Sequence, residues 1–369
     1  MRPASDAEKA RLNETFAALC RIPSPFGHER ACSDHVQGQL RAMGIEAYED
    51  AAGNLLARIP GRAERSILLC AHLDTVDDGG VPIDPVIVDG GWENANDGIL
   101  GADNKAAVAV ILELARRCSV EGSPVGIELL FTVSEENALE GAKQFDVGQL
   151  RSDFGYVFDH ATPIGDVVTA SPTYFRVAAD FHGRAAHAGI RPEAGRSAIL
   201  AAAHAVAAMP LGRIDEQTTS NVGSIQGGVG STNVVPERCR ILAETRSLDP
   251  SRVEDVVSGM VDAIHDGAAH AECDVDVVSE RLFVGYRTKP SAPAVVAAEA
   301  ALRACGYEPK RIVTGGGSDA NVLEVEGFSC VNLANGTERN HEPTERVALI
   351  ALEGMLDVAL ALLDEAEQV

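Results

Sequence analysis

Apolar positions recur every three to four residues over 7–20 and 29–43, the spacing of helices with one buried face. Between them, Pro23-Ser24-Pro25-Phe26-Gly27 reads as a loop. Unbroken apolar runs at 55–59 and 66–71 fit buried strands, and the second leads straight into His72-Leu73-Asp74-Thr75. A stretch over 77–103 rich in Gly, Asp and Asn is expected to be a loop, and 105–117 a helix of Ala, Val and Leu. Two further apolar runs, 127–133 and 156–158, end in Ser134-Glu135-Glu136 and Asp159-His160. Strands that alternate with helices and end in polar residues predict an α/β fold with a mostly parallel sheet. In such sheets, sites gather beyond the carboxyl ends of the strands.

The pattern changes in the middle of the chain. Positions 174–182 alternate like a strand, and 195–209 read as an alanine-rich helix. Strands are predicted over 219–226 and 237–246, with Gly227-Gly228-Val229-Gly230 and Asn233 between them. A helix over 251–268 starts at Asp249 and Pro250, and 273–280 reads as a strand. This β-α-β-β-α-β order is ferredoxin-like, with four strands and two helices. After it, 294–305 returns to helical spacing. An α+β lid domain over 172–286 is therefore expected, inserted into an α/β domain built from 1–171 and 287–369.

Composition narrows the function. Of the 369 residues, 46% are hydrophobic and 23% charged, a globular balance that excludes disordered, collagenous and coiled-coil classes. Acidic residues outnumber basic ones 55 to 31, a formal charge of −24 that repels phosphate backbones and anionic lipid. Neither nucleic acid nor membrane is an expected partner. No run approaches the ~20 apolar residues of a membrane span, and the polar start over 1–11 does not resemble a secretory signal. The eight cysteines are scattered singly, without a C-x-x-C pair, and read as core residues of a reducing, cytoplasmic protein.

The chemistry lies at the strand ends, in His72, Asp74, Asp103, Glu135, Glu136 and Asp159, joined late in the chain by Asn340-His341-Glu342. Histidine nitrogen and carboxylate oxygen suit catalytic zinc, and a zinc pair needs a bridging acid and roughly two more ligands each. Taken singly, each residue has an ordinary explanation: a satisfied polar side chain for His72, a solvated helix start for Glu135-Glu136, an N-cap for Asp103. Their conjunction at successive strand ends favours a metal centre. Asp74, two residues after His72 on extended chain, can accept the other imidazole N–H and fix its tautomer.

The stretches "AHLDTV", "GILGADNKAAVAVILELA", "FTVSEENALEGAKQFD", "YVFDHATPIGD", "GRAAHAG", "TNVVPERCRILAETRSLD" and "GGGSDANVL", followed by "NGTERNHEPTERV", run in order along nearly the whole chain. Together they resemble the di-zinc metallopeptidase family typified by peptidase T, which also contains glutamate carboxypeptidase, desuccinylases and aminoacylases. The resemblance implies that Asp103 bridges two metals, that His72 and Asp159 complete one site, and that Glu136 and His341 complete the other. It implies Glu135 as the general acid/base, Asp74 as the residue that orients His72, and a cis peptide after Asp103. In the lid it implies His187 for oxyanion stabilisation and Asn233 and Arg246 for substrate polar groups. The ordinary alternatives are a surface-turn histidine and a salt-bridged strand arginine.

The implied cofactor is two Zn²⁺ per chain, with cobalt or manganese as substitutes. The implied partners are a small peptide substrate and a second copy, in a homodimer through the lid. Aminopeptidases of the family carry Asp at the site-one carboxylate, as Asp159 does here, whereas its deacylases and carboxypeptidases carry Glu. An aminopeptidase of short peptides is therefore expected. An amidohydrolase of N-acyl amino acids or a carboxypeptidase on the same centre stays open, as does a binding protein on a retired scaffold, which the complete ligand set disfavours. Asn104 replaces a common second Asp and His160 a common glycine. Gly316-Gly317-Ser318-Asp319-Ala320 misses the last glycine of a serine-hydrolase elbow, and "GGVGSTN" lacks the P-loop lysine.

Overall fold

The computed structural model describes residues 1–369. The chain divides into two compact units, Met1–Ala170 with Arg287–Val369, and Ser171–Tyr286.

In the first unit, the strands Gly126–Thr132, Ser66–His72, Phe154–His160 and Cys330–Ala334 lie side by side and run parallel. Leu55–Ile59 and Asp166–Ser171 flank this group as antiparallel neighbours. Residues from Ile67 to His72 are all buried, as an unbroken apolar run in a doubly covered sheet requires. The helix Ala102–Glu121 packs on Ser66–His72 and against the helices Asp6–Cys20 and Leu349–Ala366. Its Ala106, Ala107 and Ala109 are completely buried, and their small side chains let the helix approach its neighbours closely. The mostly parallel α/β architecture is as expected. All four parallel strands point the same way, so one end of the sheet collects their carboxyl-terminal residues.

One expectation fails here. The stretch over 77–103 is not a continuous loop, because it contains the hairpin strands Pro85–Val88 and Gly91–Asn94. Asp89 and Gly90 form its two-residue turn, with φ of 47° and 75°. Two positive φ values make a turn whose twist matches the strands, and Asp-Gly is its favoured sequence. Gly91–Asn94 also pairs with Arg346–Ala348, which pairs with Thr337–Glu338. The hairpin thereby supports the loop that carries His341.

The second unit is an antiparallel sheet in the order Gly212–Arg213, Thr218–Gly227, Arg238–Ser247, Thr173–His182, Asp274–Phe283. The helices Ala198–Ala208 and Pro250–His270 pack on it, with Val177, Ala179, Phe181 and Ile241 meeting Ala201, Ala205, Met260 and Ile264 in the core. Gly267 marks the helix crossing: a Cβ there would lie 2.5 Å from the Ala201 carbonyl oxygen. The four long strands and two helices follow the ferredoxin-like order. The two-residue strand Gly212–Arg213 makes a fifth, too short to leave an alternating pattern in the sequence.

A buried ion pair ties the chain start to the long helix. The Glu8 carboxylate accepts from Arg117 Nε at 2.6 Å and Nη2 at 2.8 Å, and from Ser5 N at 2.7 Å. Arg117 also donates to the Arg2 carbonyl at 2.6 Å. Hydrogen bonds from Arg117, and further ones from Arg2 and Ser5, hold the Glu8 carboxyl well below the usual carboxylate range. Glu8→Ala leaves Arg117 buried and unpaired, so it should destabilise the protein by about 3–5 kcal/mol in denaturant titration. Because the folded state depresses this pKa, its contribution is present above the unfolded carboxylate pKa, near 4.5. The wild-type advantage over Glu8→Ala should therefore shrink as pH falls below that value.

Candidate metal centre

His72 closes the strand Ser66–His72, Asp159 lies near the end of Phe154–His160, and Glu135 and Glu136 follow Gly126–Thr132. Asp103 stands in the first turn of Ala102–Glu121 with non-helical φ and ψ of −82° and 105°, and its peptide bond to Asn104 is cis. His341 occupies the loop between Thr337–Glu338 and Arg346–Ala348, at a left-handed φ of 66°.

These side chains converge on Asp103. Its Oδ1 lies 3.2 Å from His72 Nε2, and its Oδ2 lies 3.4 Å from His341 Nε2. His72 Nε2 is also 3.6 Å from Asp159 Oδ1, and His341 Nε2 is 2.9 Å from Glu136 Oε1. One carboxylate thus faces two histidines, each with its own second acid. Glu135 joins the first group, with His72, Glu135 and Asp159 ligand atoms within 4.8 Å of one another.

The arrangement fits a pair of divalent cations. Ligands on tetrahedral zinc at 2.0–2.1 Å are separated by roughly 3.3 Å, close to the His–carboxylate spacings here. The donor set is nitrogen and oxygen with no thiolate, which suits zinc, manganese or cobalt. Burial and the negative charge of Asp103 raise the Asp159 pKa well above the carboxylate range. Burial and Asp159 do the same to Glu135. Burial works against charge on Asp103, yet its hydrogen bonds with His341 and His72 hold its pKa low. Hydrogen bonds to Asp103 and Glu136 push His341 up to about 10. For His72, burial opposes charge but Asp103, Asp159 and Asp74 outweigh it and raise the pKa. Acids this close repel one another, and a cation among them reverses that repulsion.

Asp74 has two tasks. His72 Nδ1 lies 3.0 Å from the Asp74 carbonyl oxygen and 3.4 Å from its Oδ1, so Nδ1 is the donor and Nε2 faces Asp103. The Asp74 carboxylate also accepts from the amides of Glu135 at 3.0 Å and Glu136 at 2.9 Å. The sequence pointed to the Asp74 carboxylate as the acceptor for His72, but the nearer acceptor is the Asp74 backbone carbonyl, and the carboxylate accepts from the two glutamate amides instead.

It also missed Glu345. This buried carboxylate accepts from the amides of Leu100 at 2.9 Å, Gly101 at 2.7 Å and Asp103 at 2.9 Å, and so cradles the turn that presents Asp103. Burial pushes it up to about 7. Asn340 donates to Asp103 Oδ2 at 2.8 Å, so the His341 loop grips that turn at two points. The only signal was the placing of both residues within "NHEPTE". Asp319, from the rejected elbow, is buried and accepts from Thr132 Oγ1 at 2.5 Å. Burial raises it to about 6.

In the second unit, His187 and Asn233 stand on adjoining exposed segments, with the Ala188 amide donating to the Asn233 carbonyl at 2.9 Å. Arg246 is not with them. It lies at the opposite end of Arg238–Ser247, pairs with Glu244 at 3.1 Å, and stacks 4.2 Å above the Tyr174 ring.

Residues 172–272 match a peptidase dimerisation domain, and 54–160 match peptidase family M28. The uncharacterized protein YqjE of Bacillus subtilis (strain 168) is 35% identical over 96% of this chain and 98% of its own length. The crystal structure of aminopeptidase PepT from Bacillus cereus ATCC 10987 superposes with a TM-score of 0.85 at 34% identity, covering 97% of this chain and 98% of that one. A tripeptidase from Staphylococcus aureus subsp. aureus Mu50 gives 0.91 at 32% identity, covering 98% and 99%. With that extent of similarity, and with histidines and carboxylates gathered at the strand ends, the chain belongs to the metallopeptidase family typified by peptidase T.

Proposed function

We propose that this protein is a di-zinc aminopeptidase that releases the N-terminal residue of short peptides, tripeptides first among them. The observation that carries the reading is Asp103, one carboxylate facing His72 and His341 with a separate oxygen for each. The aspartate at 159, and relatives described as an aminopeptidase and a tripeptidase, support an aminopeptidase over a deacylase.

His72 and Asp159 would hold one metal, Glu136 and His341 the other, and Asp103 both. Bound there, the pair would lower the pKa of a water to about 7 and polarise the scissile carbonyl. Asp74 holds the His72 tautomer that turns Nε2 toward the site. Glu135 is the proton carrier: its carboxylate takes the proton of the attacking water and returns it to the leaving amine. His187 is assigned to the developing oxyanion, Asn233 to substrate polar groups and Arg246 to the peptide carboxylate. In that role the substrate carboxylate would share or displace the Glu244 partner of Arg246, whose guanidinium stacks on Tyr174. A homodimer through 172–286 belongs to the same proposal, supported by the dimerisation-domain match. So does a cytoplasmic location, supported by eight free cysteines with no disulfide among them.

Glu135→Ala should keep both metals and lose activity by about 10²–10⁴-fold, whereas Glu136→Ala should lose metal at one site. Elemental analysis beside steady-state kinetics separates the two, and the reverse pattern would exchange their roles. On zinc- or manganese-loaded protein, tripeptides should be cleaved from the amino end and acetylated amino acids left intact. Preferential turnover of the acetylated compounds would replace the aminopeptidase reading with the deacylase one.

A further inference from the structure

Four consecutive backbone amides beside the candidate centre donate to side-chain oxygens. Val133 N reaches Asn54 Oδ1 at 3.1 Å, and Ser134 N reaches Glu29 Oε1 at 3.0 Å. Glu135 N and Glu136 N take the two oxygens of Asp74. Such a run belongs to neither strand nor helix. It fixes the chain just where it leaves Gly126–Thr132 and presents two glutamates.

Within this run, Ser134 has a φ of 52°, a left-handed conformation that serine enters unfavourably. Glu29 Oε1 grips that residue twice, through its amide and through Oγ at 3.1 Å. The same oxygen accepts from Gly27 N at 2.8 Å, and Glu29 is buried. The loop before Glu29 is itself pinned along the chain that leaves His72. Ser24 Oγ donates to the Leu73 carbonyl at 2.8 Å, Thr75 N to the Ser24 carbonyl at 2.9 Å, and Phe26 N to the Thr75 carbonyl at 3.1 Å. Glu29 is therefore a fixed carboxylate applied to one strained residue.

We propose that Glu29 is a positioning residue for Glu135, acting by holding Ser134 in the left-handed conformation that aims the Glu135 carboxylate at the site. The inference rests on Glu135 being the acid/base. Asp74 and Glu29 divide the work. Asp74 holds the amides of both glutamates, and Glu29 holds the bend ahead of them. Losing Glu29 frees the bend at Ser134, directly before Glu135; Glu136 lies one residue further on and keeps both its Asp74 hydrogen bond and its contact with His341, so it is displaced less.

The test is steady-state kinetics with metal analysis on the zinc-loaded, full-length protein. Glu29→Ala should lower kcat by about 10²-fold, the effect of a misplacement of about 1 Å. KM and metal content should stay within about twofold, because binding groups are untouched. Glu29→Gln, which keeps an acceptor oxygen for the Ser134 amide, should retain most of kcat. In Glu29→Ala combined with Ser134→Gly, kcat should recover at least about tenfold, because glycine takes positive φ without support. Ser134→Val leaves Glu29 intact but opposes positive φ, and should lower kcat in the same way even if Glu29→Ala folds poorly. An unchanged kcat in both Glu29→Ala and Ser134→Val would overturn the inference. So would a loss that tracks metal content, or one that Ser134→Gly does not restore. Full activity in Glu135→Gln would instead overturn the acid/base reading beneath it.

Discussion

The structure turns on holding several largely buried carboxylates close together beside an exposed histidine, His341. Asp103 faces both histidines of the candidate centre, and Asp159, Glu135 and Glu136 stand around it. Like charges at such spacing repel, and burial strengthens the repulsion. The fold answers with donors of fixed position. Backbone amides of Leu100, Gly101 and Asp103 point at Glu345, and those of Glu135 and Glu136 point at Asp74. Each supporting acid thus holds a turn, and each turn delivers a ligand candidate. The parallel sheet brings those turns to one end, where the chain is free to bend away from its strands.

The strand-end acids and His72 were legible because an apolar run that stops at a polar residue marks a buried strand and its exit. The two-unit organisation was visible as a change from unbroken runs to alternation near residue 174. Hidden parts were those that depend on contacts distant in sequence. Glu29 reaches Ser134 across 105 positions and Glu345 reaches Leu100 across 245, so no local pattern records either pairing. The hairpin at Asp89-Gly90 was missed for another reason. Its turn signal sat among so many Gly, Asp and Asn residues that the whole stretch read as loop. Asp319 was weighed only as part of a serine-hydrolase motif, although its carboxylate is buried against Thr132 beneath the site. Asn104 shows the limit differently. Both polar atoms of its buried side chain lack a hydrogen-bond partner, a property of the packed site that residue type alone does not announce.

Glu135 and Glu136 are adjacent in sequence and both come within 4.8 Å of His72, yet each has a further neighbour of its own. Glu136 meets His341 and Asp103, while Glu135 lies with Asp159. A left-handed bend at Ser134 and the two amides on Asp74 set this division. Chemistry that needs one carboxylate on a metal and one free to carry a proton depends on keeping these neighbours distinct.

In the proposed enzyme the Asp103 carboxylate spans two cation sites. Anomalous diffraction at the zinc edge, from crystals of zinc-loaded protein, tests it most directly. Two peaks about 3.5–4 Å apart, with one Asp103 oxygen directed at each, are predicted. A single peak, or two peaks that do not share Asp103, would mean that Asp103 does not bridge two cations.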